Sequence, residues 1–133
     1  MSRRELREQI FKFIFRIEFN EREEMAEQEQ FFFEEYELDI TQEDIEHISQ
    51  KSNSIIEKLD EIDELINKHA KGWTTQRMGK VDLTILRLAV YEIEFDSDVP
   101  TGVAINEAVE LAKKYGQEES SGFINGVLAK FAS

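Results

Sequence analysis

Residues that interrupt helices are scarce in this chain. Its 133 residues contain one proline, Pro100, and six glycines. Because proline and glycine are the strongest local breakers of regular structure, a chain with so few of them can form long helices. Apolar residues also recur at spacings of three and four, as in the run Leu6, Ile10, Phe13 and Ile14. The sequence therefore predicts an all-α protein.

The periodic segments and their caps predict about seven helices and no convincing strand. The first helix covers residues 3–19, with Ser2 as N-cap and Glu5 at the capping-box position. Thr41 opens a long helical stretch that runs to about residue 70, with residues 52–54 and 59–60 as alternative break points, and Gly72 suits the turn after it. The simplest architecture is one domain, 1–133, made of two packed helical subdomains at about 1–71 and 72–133.

The net charge of −13 is unevenly distributed along the chain. Residues 1–20 carry five basic and three acidic residues, whereas residues 21–70 carry four and seventeen. Residues 71–133 carry seven basic and nine acidic residues, so most of the net negative charge lies in the middle segment, residues 21–70. Two interpretations of this acidic segment stay open. It forms a solvated face that keeps the protein soluble, or it forms a surface that steers nucleic acid away from one side of the protein. Of the three segments, only residues 1–20 carry a net positive charge.

Motifs that would carry catalysis or hold a cofactor are missing from the sequence. It has no GxGxxG motif, no P-loop and no cysteine, and His47 and His69 share no metal-like spacing. We therefore expect neither an enzyme nor a bound cofactor or metal. No signal peptide and no apolar run long enough to span a bilayer is evident, so we expect a cytoplasmic protein without a membrane partner.

The basic segment begins a helix, which is an unusual place for arginines. Arg3 and Arg7 are four residues apart and share a helix face, and arginines in a first turn oppose the helix dipole. A purely structural helix start would favour acidic residues there. Two interpretations stay open: a basic turn that adds solubility, or a patch that binds RNA phosphates through guanidinium groups.

Three segments of the C-terminal half resemble the signatures of one family, in the family's order and at fitting spacing. They are Val81–Glu92 (VDLTILRLAVYE), Val103–Gly116 (VAINEAVELAKKYG), which follows Pro100, and Ser121–Leu128 (SGFINGVL). The segment Ser2–Glu8 (SRRELRE) resembles the arginine-rich start of the same family. The chain resembles the NusB family of transcription antitermination factors over its whole length, and most specifically over residues 77–130.

This resemblance implies an all-helical fold of two three-helix bundles and a small RNA-binding factor without catalysis. Members bind the boxA element of nascent ribosomal RNA leaders together with NusE, a protein of the small ribosomal subunit. The pair joins the elongating RNA polymerase and suppresses premature termination. The implied partners are therefore single-stranded boxA-type RNA, NusE and the RNA polymerase elongation complex.

The resemblance also implies which residues meet RNA. The arginine-rich first helix is the family's RNA contact, which puts Arg3, Arg4 and Arg7 on RNA, with Lys12 as a further contact. Glu119, just before the last helix, stands at an acidic loop position that also lies near the RNA face.

Two further residues belong to the implied interface with the partner protein. Phe15 sits where the family often has an exposed tyrosine, and Asp82 opens a helix in the region that meets the partner. An alternative stays open: a helical adaptor that binds a ribosomal or polymerase component without touching RNA, because an acidic face suits a basic ribosomal protein. The sequence leaves both a monomer and a homodimer open.

Overall fold

The computed structural model describes residues 1–35 and 40–132. Within that part the chain forms seven α-helices: α1 (Arg3–Ile14), α2 (Met25–Glu34), α3 (Gln42–Glu57), α4 (Leu59–His69), α5 (Lys80–Phe95), α6 (Thr101–Tyr115) and α7 (Ser120–Ala129). Short 3₁₀ segments cover Phe15–Phe19, Arg22–Glu24 and Thr75–Arg77. No strand occurs among the described residues, so the all-α prediction is confirmed. None of the helices in these residues is long and apolar enough to cross a bilayer.

The chain divides into two compact units, and the first, Met1–Glu57, has its core where α1 packs on α3. Its most deeply buried apolar side chains come from those two helices: Ile10, Phe13, Ile14, Ile48 and Ile55. The helix predicted over residues 3–19 is α-helical only to Ile14 and continues as the 3₁₀ segment Phe15–Phe19. Thr41 caps α3 as predicted, because its Oγ1 accepts a hydrogen bond from the Asp44 amide at 3.1 Å.

The second unit begins at Lys58 and is built around α5. This helix packs against α4, α6 and α7, and α6 packs against α7. A helix with neighbours on several sides is apolar on most of its surface. Its apolar side chains that are 5% exposed or less are Leu83, Ile85, Leu86, Leu88, Ala89 and Val90.

The division between the units lies earlier in the chain than the sequence predicted. We expected it near Gly72, whereas the contacts separate the units between Glu57 and Lys58. The helical stretch predicted to reach residue 70 is interrupted at Lys58, next to the break point offered at residues 59–60, and its second part, α4, packs on α5. The two units hold three and four of the seven helices, respectively.

Candidate nucleic-acid interface

The N-terminus of α1 is fixed by a complete capping box. The Ser2 Oγ accepts a hydrogen bond from the Glu5 amide at 3.1 Å, and the Ser2 amide donates to the Glu5 Oε1 at 3.0 Å. The bond from the Ser2 amide to the Glu5 carboxylate, together with a side-chain hydrogen bond from Ser2, holds the pKa of Glu5 below its ordinary value, because both stabilise the carboxylate form. The cap satisfies amides that the first helical turn leaves unpaired, and it fixes where Arg3 and Arg4 leave the helix.

The structure brings Arg3 and Arg4 together as exposed side chains in this first turn. Both residues are therefore accessible at a single helix end. The N-terminal ammonium of Met1 adds a third cation nearby in sequence, but it forms an ion pair with the Asp44 Oδ2 at 3.1 Å. Guanidinium groups at such a position can donate paired hydrogen bonds to phosphate oxygens.

Arg7 and Lys12 are not part of this exposed first turn. Arg7 is only 9% exposed and lies on the face of α1 that also buries Ile10, Phe11 and Ile14. Lys12 is exposed, but it lies about 12 Å beyond Arg4 along the axis, since each helical residue rises about 1.5 Å. Its Nζ is 3.7 Å from the Glu8 Oε1, a surface ion pair.

Phe15 stands in a row of three aromatic rings at the end of α1. Its ring centroid is 6.4 Å from that of Phe11 and 5.3 Å from that of Phe19, with an edge-on contact to Phe19. Phe19 is 63% exposed, whereas Phe11 is buried. Phe19 is not among the predicted site residues, although the spacing of four residues between these phenylalanines is a signal that could have found it.

In the second unit, Asp82 and Glu119 line the same cleft, of about 970 Å³. We call it the α5–α7 cleft. It is lined by Trp73, Met78–Asp82 and Tyr115–Phe123. Asp82 lies in the first turn of α5, and Glu119 is the N-cap residue of α7. Acidic groups at helix N-termini are favoured by the helix dipole, which gives both carboxylates a structural role as well.

The loop that carries Glu119 depends on a close approach at Gly116. A Cβ at this position would lie 2.6 Å from the Oγ of Ser120 and 2.7 Å from the carbonyl oxygen of Ala112. The buried Ser120 Oγ in turn accepts a hydrogen bond from the Gln117 amide at 2.9 Å. The absence of a side chain at residue 116 therefore lets the start of α7 fold back on the end of α6.

Trp73 is a cleft residue that the sequence analysis missed. Its side chain is 48% exposed, and its ring meets that of Phe123 edge-on with centroids 5.7 Å apart. The guanidinium carbon of Arg77 lies 5.8 Å from the Trp73 ring centroid. No periodic pattern includes this residue, because it lies between α4 and the 3₁₀ segment Thr75–Arg77.

We predict that Ser2→Ala lowers the free energy of unfolding by about 1 kcal/mol at neutral pH, the usual cost of losing a serine N-cap. The loss should shrink in acid. A carboxyl whose folded-state pKa is depressed stabilises the fold at every pH above its ordinary pKa, which is 4.5 for Glu5. This contribution disappears as the pH falls through the folded-state pKa. Part of that depression comes from the Ser2 hydroxyl. Urea denaturation at pH 7 and pH 3 measures both effects, and a loss at pH 3 equal to that at pH 7 would contradict the coupling. Ser2→Thr keeps the acceptor and serves as the control.

Comparison with known proteins matches this chain to one family. The model of the NusB family matches residues 4–133. The chain is 54% identical to the transcription antitermination protein NusB of Agathobacter rectalis over 132 residues, which is 99% of this chain and 100% of the relative.

Solved structures agree with the sequence matches. T. maritima NusB superposes with a TM-score of 0.87 at 37% identity, covering 99% of this chain and 91% of that chain. A NusB from a complex of antitermination factors NusB and NusE with double-stranded RNA superposes with a TM-score of 0.83 at 28% identity, covering 97% and 94%. On the strength of a family match along nearly its whole length, the chain belongs to the NusB family.

Proposed function

We propose that this chain is a transcription antitermination factor that binds boxA-type RNA of ribosomal RNA leaders together with NusE. The pair joins the elongating RNA polymerase in the cytoplasm and suppresses premature termination, and we assign the chain no catalytic step. The observation that carries the proposal is its 54% identity, over the full length of both chains, to a transcription antitermination protein NusB.

The RNA contact that we propose is centred on Arg3 and Arg4. Both side chains are exposed on a capped and therefore ordered helix end, in the net-basic segment of an otherwise acidic chain. Lys12 is proposed as a further contact on a different part of α1. We also propose that Arg7 contacts RNA, with the 9% of its surface that is exposed. Glu119 is proposed as an RNA contact because it is exposed and lines the α5–α7 cleft.

The contact with the partner protein is proposed at Phe15 and Asp82. Phe15 supplies a half-buried ring that continues outward to the exposed Phe19. Asp82 supplies a carboxylate on the wall of the α5–α7 cleft. Aromatic rings and carboxylates of this kind are complementary to the apolar and basic side chains of a ribosomal protein.

We expect the double substitution Arg3→Ala with Arg4→Ala to weaken RNA binding about tenfold, or ~1.4 kcal/mol. Losing two phosphate contacts should also reduce the slope of log affinity against log salt by about 1.4, because each contact to a single strand contributes about 0.7. Fluorescence anisotropy of a labelled boxA-type RNA, with NusE present, measures both quantities. A double-stranded RNA is titrated in parallel, since a related NusB was solved with one.

The control for this experiment is Lys113→Ala with Lys114→Ala on α6, which removes the same charge from two exposed lysines. We expect this control to bind RNA nearly as well as the parent chain. Equal losses in the two double variants would mean that only net charge matters, and would refute a site on α1. Arg7→Ala is kept separate, because a buried arginine acts on folding as well as on binding.

A second candidate function is an adaptor that binds NusE or a polymerase component without direct RNA contact. The observation that favours it is the α5–α7 cleft, whose lining includes the acidic residues Asp82, Glu118 and Glu119. The same titrations separate the two functions. A stable complex with NusE, combined with no RNA binding in either the presence or the absence of NusE, would favour the adaptor.

A further inference from the structure

A stretch without acidic residues crosses the limit between the middle and the last segment of the chain. No aspartate or glutamate occurs from Leu65 to Val81, although 29 of the 133 residues are acidic. The stretch from Ser120 to Ala132 also contains none, and it carries Lys130. In a chain with a net charge of −13, these two acid-free segments are locally positive. The basic residues of the first are Lys68, Lys71, Arg77 and Lys80.

An aromatic contact within the second unit joins the two acid-free segments. The His69 ring stacks on the Phe131 ring with centroids 4.1 Å apart, which brings the C-terminal ends of α4 and α7 close to each other. Lys68 and Lys71 lie on either side of His69 in the chain, Lys130 precedes Phe131, and all three lysines are exposed. We call the surface formed by Lys68, Lys71 and Lys130 around this ring stack the basic corner.

The loop that carries Lys71 is fixed by two hydrogen bonds. Gly72, with a φ of +85°, occupies the third position of a tight turn, which is closed by a bond of 3.0 Å from the Trp73 amide to the carbonyl oxygen three residues earlier. The Asn67 Oδ1 in the last turn of α4 accepts a second bond, of 2.8 Å, from the Thr75 amide. Because this backbone is already ordered, a ligand at Lys71 costs little loop entropy on binding.

Helix stability accounts for only part of the basic corner. Lysines near the C-terminal ends of helices are favoured by the negative end of the helix dipole, which suits Lys68 and Lys130. Lys71 lies beyond α4, in the turn, where the dipole effect has fallen off. The dipole also does not explain why acidic residues are missing as far as Val81. A surface of this kind attracts an anionic ligand.

The basic corner continues the surface on which we propose an RNA contact. Trp73, which closes the turn that contains Lys71, lines the α5–α7 cleft together with Glu119. An RNA strand that contacts Glu119 therefore lies in a cleft whose wall leads to Lys71. Lysine side chains beside such a path bind phosphates without reading bases. This continuity favours RNA over an acidic protein segment as the ligand of the corner.

We propose that the basic corner binds phosphates of the single-stranded RNA that flanks the boxA element. The flanking strand passes from the α5–α7 cleft to Lys71 and Lys130, whose ammonium groups neutralise its phosphates. The inference rests on the proposed function and deepens it, because it adds a contact for RNA outside the recognised element. Such a contact depends on salt and has no sequence preference, since it releases counter-ions and touches only the RNA backbone.

The test compares two labelled RNAs by fluorescence anisotropy with NusE present: the boxA element alone, and the same element flanked on both sides by unpaired uridines. We expect Lys71→Ala with Lys130→Ala to bind the flanked RNA about tenfold more weakly than the parent chain does. The slope of log affinity against log salt should fall by about 1.4, for two lost phosphate contacts. The element alone should bind this variant nearly as it binds the parent. Equal losses on both RNAs, or no loss on either, would overturn the proposal.

The matched control is Lys113→Ala with Lys114→Ala, which removes the same charge from two exposed lysines of the same unit. It should bind both RNAs nearly as the parent does, and thermal unfolding first shows that each variant folds. A similar loss on the flanked RNA in this control would mean that only net charge matters, and would overturn the proposal. A polyglutamate peptide that binds the parent but not the corner variant, while the flanked RNA binds both equally, would assign the corner to an acidic protein instead.

The inference and the proposed function can fail separately. Arg3→Ala with Arg4→Ala should weaken binding of both RNAs, because each contains the boxA element. An effect of Arg3 and Arg4 on both RNAs, without any effect of the corner variant, would leave the proposed function intact and overturn the inference. A loss confined to the flanked RNA in the corner variant, without any effect of Arg3 and Arg4, would support the corner and refute the site on α1. Binding of neither RNA by the parent would overturn both.

Discussion

Replacing Arg87 with leucine is expected to lower the free energy of unfolding by about 2–3 kcal/mol, because it breaks a largely buried ion pair. The Arg87 guanidinium makes two hydrogen bonds of 2.8 Å, one from Nε and one from Nη2, to the two carboxylate oxygens of Asp63. This bidentate pair joins α5 to α4, and Arg87 is only 8% exposed. Without the guanidinium, the Asp63 carboxylate is left partly buried and loses its counter-charge.

Urea denaturation followed by far-UV circular dichroism measures this effect, and urea is preferable to a charged denaturant because it does not screen the ion pair. Arg87→Lys keeps the charge but loses the two-pronged geometry, so it should fall between leucine and the parent. The double variant Arg87→Leu with Asp63→Leu should recover more than half of the loss, because no unpaired charge remains. A double variant no more stable than Arg87→Leu alone would show that the ion pair is not the cause.

This pair also bears on the boundary between the two units, which the sequence predicts near Gly72 and the contacts place between Glu57 and Lys58. Local signals set the limit near Gly72, which has a φ of +85° and does form a turn. The units are divided by packing, however, and α4 is held to α5 by Asp63 and its partner arginine. No sequence pattern links Arg87 to this acidic partner, which lies 24 residues away.

Helix ends were more predictable than contacts. The Ser2 and Thr41 caps are local interactions within three residues, and both are present. The burial of Arg7 was not foreseen, because an amphipathic pattern counts arginine as polar and therefore as exposed. Arg7 nevertheless shares a face with the buried Ile10 and Ile14, three and seven residues farther along α1. That spacing was visible in the sequence and could have separated Arg7 from Arg3 and Arg4.

The candidate cleft was the least predictable part of the molecule. Asp82 and Glu119 were singled out from the family resemblance, and the structure places both on one cleft. Trp73 and Gly116 carried no signal of a site, because the cleft forms only when the start of α5, the end of α6 and the start of α7 meet. A surface assembled from separate segments has no periodicity of its own, so a sequence pattern cannot reveal it.

The second large effect is expected at Gly116, where alanine should lower the free energy of unfolding by about 2–3 kcal/mol, the range for a side chain forced into occupied space. The added Cβ would stand 2.6 Å from Ser120 and 2.7 Å from the Ala112 carbonyl oxygen, and the carbonyl belongs to the backbone of α6 and cannot rotate away. Relief requires the α6–α7 loop to open, which would also strain the hydrogen bond from the Gln117 amide to Ser120.

The matched control for this substitution is Gly126→Ala in α7, where an added Cβ meets no atom within 4 Å. Alanine there should raise the free energy of unfolding by about 0.5–1 kcal/mol, because it restricts the unfolded chain and favours the helix. The same substitution at a loop glycine and at a helical glycine is thus expected to have opposite signs, and urea denaturation measures both. A neutral or stabilising Gly116→Ala would mean that the loop relaxes easily, and that the close approach at Gly116 does not hold the carboxylates of Glu118 and Glu119 in place at the cleft.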